Sequence, residues 1–190
     1  MSSPEPPELT IRDADPERDA AACAAIYAPS VEDSPISFEL RAPVPEEIAA
    51  RMRRYQRTHP WLVAERGGEV VDYAYACEFN ERPAYRWSTS VSVYVAAGER
   101  GRGRGRALYE ELFARLRRQG FRIACAGITL PNPASEALHT NLGFQPVGVY
   151  REIGWKDGEW LDVGWFQLEL TPAPAGTPPE PLPPGAPPPG

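Results

Sequence analysis

A chain of 190 residues is long enough for one domain with a sizeable core, and nothing in it points to a second. Its 42% apolar and 24% charged content is that of a globular protein, and no apolar run approaches the roughly 18 residues of a membrane span. A net charge of −6 argues against general nucleic-acid affinity, and the first residues lack the basic and apolar segments of a secretory signal, so a cytoplasmic location is expected.

In chain order, a short strand is expected at Leu9 to Arg12, followed by a helix starting at Asp15-Pro16 with Cys23, Ile26 and Tyr27 on one face. Pro29 to Pro45 reads as a loop, and Pro45 opens a second helix whose outer face carries Arg51, Arg53 and Arg54. Trp61 to Glu65, the Gly67-Gly68 turn and Glu69 to Phe79 form a hairpin, with Trp87 to Val95 as a third, antiparallel strand. A glycine and arginine loop leads into a long helix in which Leu108, Leu112 and Leu116 fall on one face. Phe121 to Ile128 is then a buried strand, Ser135 to Leu142 a short helix, and Gln145 to Ile153 with Trp160 to Leu170 a closing hairpin. A meander combined with helical crossovers implies an α/β (α+β) mixed sheet with helices on both faces. From Thr171 the chain is half proline, which predicts a folded domain over 1–170 and a disordered tail over 171–190. Cys23, Cys77 and Cys125 are odd in number and far apart, which suits reduced thiols, and His59 and His139 are too few for a histidine-based metal cluster, so no metal is expected.

The most informative stretch is Val93-Tyr94-Val95 followed by Arg100-Gly101-Arg102-Gly103-Arg104-Gly105-Arg106. A strand passing through a glycine loop into a helix directs free backbone N–H groups and the positive helix end into one concavity, which suits a pyrophosphate. A Walker loop would need Gly-Lys-Ser/Thr, and a dinucleotide fingerprint would need glycine where Arg106 stands. Two alternatives stay open at this point: an RNA-binding Arg-Gly segment, against which stand its single copy and the acidic chain, and a plain structural turn.

Arg100, Gly103 and Gly105 resemble the acetyl-CoA signature Gln/Arg-x-x-Gly-x-Gly/Ala of the GNAT acyltransferases. Asn132, Ala137, Leu138, Leu142, Gly143 and Phe144 are similar to the fourth-helix motif of the same superfamily. Trp61-Leu62-Val63-Ala64-Glu65, Tyr73-Ala74-Tyr75-Ala76, Arg82-Pro83-Ala84-Tyr85-Arg86-Trp87 and Gly154-Trp155-Lys156 with Trp160-Leu161-Asp162-Val163 narrow the resemblance to the phosphinothricin N-acetyltransferase group. The resemblance implies a GNAT fold, with a mixed central sheet of six or seven strands flanked by four helices. It also implies acetyl-CoA or another acyl-CoA as cosubstrate, a small-molecule amine as acceptor, no nucleic-acid or membrane partner, and a homodimer.

Transfer from a thioester to an amine needs a neutral amine, a polarised carbonyl and a proton for the departing thiolate. By resemblance, Val93, Tyr94 and Val95 offer backbone groups to the cofactor arm, Arg100 to Arg106 hold the diphosphate, and Asn132 caps the fourth helix or holds the arm. His139 stands where most members carry the tyrosine that reprotonates CoA, and an imidazole can move a proton near neutral pH. Relatives carry Glu where this chain has Ser90, so a relocated base is expected at Asp72 or Glu78, both unusual here, or at His139 itself. The alternative is a non-catalytic acyl-CoA-binding protein that lost the base at Ser90. For the acceptor, Arg82 suits an acidic group, with Phe38, Tyr85 and Trp87 walling the pocket. These departures favour an amine of specialised metabolism, in biosynthesis or self-resistance, over phosphinothricin itself.

Overall fold

The computed structural model of the chain describes residues 9 to 96, 98 and 103 to 187. Within them the elements run β1 (Leu9–Asp13), α1 (Pro16–Glu32), α2 (Pro45–Tyr55), β2 (Trp61–Arg66), β3 (Glu69–Glu78), a single 3₁₀ turn (Pro83–Tyr85), and β4 (Ser88–Val95). They continue with α3 (Arg104–Gln119), β5 (Ile123–Leu130), α4 (Pro133–Asn141), β6 (Gln145–Lys156) and β7 (Glu159–Glu169). The described strands form one sheet in the order β1-β2-β3-β4-β5-β7-β6. β1 to β4 are antiparallel neighbours as the turn residues require, β4 and β5 are parallel across the α3 crossover, and β5, β7 and β6 are antiparallel.

Strand alternation gives the sheet two apolar faces, and each is covered by helices. One face packs Leu108, Leu112 and Leu116 of α3 and Phe144 against Leu62, Ala74, Ala76, Val91, Ala124 and Ala126. The other packs Cys23, Tyr27, Ile48 and Met52 of α1 and α2 against Trp61, Val63 and Tyr73. That second face holds a column of rings, in which Trp61 stacks on Tyr75 at 4.4 Å and Tyr73 on Tyr94 at 5.2 Å.

One local expectation is corrected. α1 does not stop at Pro29 but runs on to Glu32. A proline inside a helix loses one hydrogen bond and costs about 3 kcal/mol. Burial of Ser30 and Val31 opposes that cost, and so does Lys156, whose Nζ donates to the carbonyls of Val31, Ser34 and Ser37 at 2.5, 2.9 and 2.8 Å. The proline-rich segment, expected to stand outside the fold, has no helix or strand in its described part, yet it touches the domain. Leu182 N donates to Gln119 O and Gln119 Nε2 donates to Leu182 O, both at 2.7 Å, while Glu180 pairs with Arg86.

Candidate active site

The parallel contact between β4 and β5 is short. Ser88, Thr89 and Ser90 pair with Ile123, Ala124 and Cys125, and there the ladder ends. Beyond it β4 stays on β3 as far as Val95, while β5 stays on β7 as far as Leu130. The two strands therefore part, leaving a wedge whose apex is Ser90 and whose β5-facing amides on β4 have no strand partner. A cavity of about 80 Å³ fills this wedge, lined by Val91 to Tyr94, Ala126 to Thr129, Tyr109 and His139. A second cavity of about 450 Å³ shares Val93, Tyr94 and Asn132 with it and continues past Val95 to Gly103, Arg104, Gly105 and Arg106.

The far end of that channel is the head of α3. Gly103 precedes the helix at φ +74, a left-handed conformation that glycine adopts at little cost. A Cβ at Gly105 would lie 3.4 Å from Leu138 and 3.6 and 3.7 Å from Val95 and Val93, so a longer side chain there would fill the channel. The first amides of a helix have no intrahelical acceptor, and here they open onto the cavity. Arg106 turns its guanidinium away to Glu110 at 2.7 Å, leaving its amide at the channel. Arg100, Gly101 and Arg102 lie outside the described residues. Free amides at a helix head, a glycine cradle and unpaired strand amides form one continuous groove, which fits the diphosphate and pantetheine arm of a coenzyme A thioester.

His139 is 4% exposed and reaches the wedge from α4. Its Nδ1 lies 2.8 Å from Ser135 O, which fixes the proton on Nδ1 and leaves Nε2 as the acceptor. Tyr109 OH is 3.2 Å from that Nε2 and donates to it. Burial lowers the His139 pKa from its ordinary value, with the Ser135 carbonyl acting in the opposite sense, so the ring is neutral at neutral pH. Asn132 both caps α4, accepting from Ser135 N at 3.1 Å, and lines the two cavities. The Tyr94 side chain belongs to the ring column, edge-on to Tyr27 at 4.7 Å, while its backbone borders the channel.

The two relocated acids expected from sequence do not reach the wedge. Asp72 pairs with Val95 and Ser90 with Cys77, so Asp72 and Ser90 lie an odd number of residues apart and point to opposite sheet faces, about 17 Å apart along the strand. Asp72 is fully buried and accepts from Ala96 N at 3.1 Å, which holds the end of β4. Glu78 shares the face of Asp72 and borders a groove formed with Arg86, His59 and the segment around Leu182. Of the expected acceptor walls, Phe38 packs on Gly154, where a Cβ would fall 2.1 Å from its ring, and Trp87 donates Nε1 to Pro179 O at 2.7 Å beneath the Arg86 guanidinium. Arg82 is exposed, and its backbone N–H donates to Asn80 Oδ1. Tyr85 lies edge-on to Phe79 at 5.7 Å. None of these four borders the wedge or the channel.

Sequence reasoning missed Tyr109, Gly127 and Thr129. Tyr109 follows Leu108 in an apolar helix stripe and reads as core, and only the crossing of α3 and α4 shows that its hydroxyl meets His139.

Residues 12 to 165 match the acetyltransferase (GNAT) domain family. The chain is 38% identical over 173 residues to a phosphinothricin N-acetyltransferase of Streptomyces viridochromogenes, covering 90% of this chain and 94% of that one. It is 34% identical over 163 residues to an L-methionine sulfoximine/L-methionine sulfone acetyltransferase of Salmonella typhimurium, covering 85% and 95%. Among solved structures, a phosphinothricin acetyltransferase from Sinorhizobium meliloti in complex with acetyl-CoA superposes with a TM-score of 0.85 at 37% identity, over 90% of this chain and 94% of that one.

Proposed function

The chain belongs to the GNAT acetyltransferase family, an acetyl-CoA-dependent N-acetyltransferase by descent, and from that premise we propose that it acetylates the primary amine of an amino-acid-like small molecule with His139 managing the protons. The observation that carries this reading is the neutral, tautomer-fixed imidazole at the open wedge, joined by a continuous channel to the glycine cradle of α3.

Acetyl-CoA supplies the acetyl group and leaves as the thiol. The head of α3 and Gly105 hold its diphosphate end, and the unpaired amides of Val93 and Val95 orient its arm. At the wedge the polarised carbonyl accepts from backbone amides rather than from a charged side chain. The acceptor ammonium loses one proton to solvent to become a neutral amine. As its nitrogen bonds the acetyl carbon and the C–S bond breaks, His139 Nε2, freed from its bond to Tyr109 OH, takes a second nitrogen proton and gives it to the departing sulfur, a transfer that Ser90 cannot serve. A neutral imidazole does this without an energetic penalty for charge in a buried site until the proton arrives. The relatives named for phosphinothricin and for methionine sulfoximine support an amino-acid-like acceptor.

Changing His139 to Ala is expected to lower kcat about 10²- to 10³-fold in a thiol-release assay, with the KM for acetyl-CoA nearly unchanged. The wild-type rate is expected to decline as pH falls below 6.5, because protonation of His139 removes its lone pair, and the variant loses that limb. Wild-type kcat in the variant would overturn the role of His139. Calorimetric binding of acetyl-CoA without thiol release for any amino acid, amino sugar or simple amine would replace the enzyme by a non-catalytic acyl-CoA-binding protein.

We also propose that the protein is a homodimer. Leu40, Ile153, Trp155 and Trp160 are each more than half exposed, and Trp155 and Trp160 pack edge to face at 5.3 Å. A patch of that kind calls for a partner surface.

A further inference from the structure

A third cavity, of about 330 Å³, lies on the sheet face that carries Ser90. The strand register builds its floor from Cys125 and Gln167, which pair across β5 and β7, and Ser90 and Cys77 continue the same row across β4 and β3 beside the cavity. Phe79, Trp165 and Tyr150 form its walls with Val147 and Val149. Trp165 meets Phe79 at 6.1 Å and 90° and Tyr150 at 6.1 Å and 65°, so three rings are arranged edge to face. Trp165 also covers Gly127, where a Cβ would sit 3.5 Å from the indole. Gly127 borders the wedge, and Cys125 is two residues back on the same strand face, about 7 Å away, so the wedge and this cavity adjoin through β5.

None of the lining residues carries a charge. Burial pushes the Cys125 thiol up to about 11, so the floor stays neutral at physiological pH. Resting on the reading of the wedge as the transfer site, we infer that the acceptor is an amine bearing an aromatic or bulky apolar side chain, seated on Cys125 and Gln167 between Phe79, Trp165 and Tyr150 with its amine toward the wedge. A volume at the lower end of small-molecule sites suits one such side chain. Aromatic walls reward an aromatic guest through edge-to-face contact and apolar burial, whereas a phosphinate, carboxylate or sulfoximine group would lose its hydration with no charge to meet it. The buried Nε1 of Trp165 has no protein acceptor among the described residues, which leaves one donor for a guest oxygen or a water.

The test is a competition on the full-length protein. Phenylalanine, tryptophan, phenethylamine and tryptamine form one panel, and phosphinothricin, methionine sulfoximine, glutamate and alanine the other, the arylalkylamines showing whether an acceptor carboxylate is needed. Thiol release is expected to give a kcat/KM at least tenfold higher for the aromatic panel, and equilibrium binding in the presence of CoA a Kd at least tenfold lower. In Trp165→Ala the preference is expected to collapse toward unity through KM. Tyr150→Ala removes a half-exposed wall and is expected to narrow the preference about threefold or more, whether or not the first variant folds. Equal or better binding of the polar panel overturns the inference. Selective aromatic binding without thiol release upholds it and instead overturns the catalytic reading.

Discussion

Two histidines show how position decides chemistry. His139 and His59 are both buried, and burial lowers both pKa values, yet only His139 borders the wedge. His59 stacks near Phe121 at 4.8 Å, meets Thr58 Oγ1 through Nδ1, and has no partner for Nε2 among the described residues. Its pKa is held down to about 4 from 6.5. Between those values the unfolded chain binds the proton and the folded one does not, so stability falls as pH drops from 6.5 toward 4. The loss is about 3 kcal/mol at its full extent. Thermal unfolding followed from pH 7.5 to 4.5 is expected to show this decline, and His59→Phe to flatten it.

At the scale of elements, the junction of β4 and α3 is the proposed seat of the cosubstrate. Gly105 faces Leu138, Val95 and Val93 at ordinary contact distance, so one methyl group is tolerated and a branched side chain is not. Gly105→Val is expected to raise the KM for acetyl-CoA by tenfold or more with little change in folding, measured by thiol release and by calorimetry, whereas Gly105→Ala stays within about threefold. The strand, the glycines and the helix start at this junction were legible beforehand, and the family resemblance was what tied them to coenzyme A. The continuation of α1 past Pro29 was not legible, because it depends on Lys156, more than a hundred residues later, reaching the carbonyls at the helix end. Of the three candidate bases, the acids at Asp72 and Glu78 look available in one dimension, but strand alternation turns them to the face opposite Ser90.

For the whole molecule, the sheet is the device that matters. Its left half is held by β3 and its right half by β7, so β4 and β5 separate without losing their outer partners, and the gap is the proposed transfer site. The exposed patch at Leu40, Ile153, Trp155 and Trp160 belongs to this scale as well. Trp155→Glu with Trp160→Glu is expected to convert a dimer into a monomer in sedimentation velocity, with secondary structure retained. A wild-type chain sedimenting as a monomer at micromolar concentration would remove the dimer proposal. The sequence by itself determined the order and type of the elements and the glycine-bearing start of α3, because periodicity, turn residues and helix ends are local, while His139 was singled out only by the family resemblance. Only the tertiary structure decided which acids lie on the far face, that Tyr109 meets His139, and that Cys125 and Gln167 form an uncharged floor. Those facts depend on strand register and helix crossing, which bring together residues that no short stretch of chain can show to be neighbours.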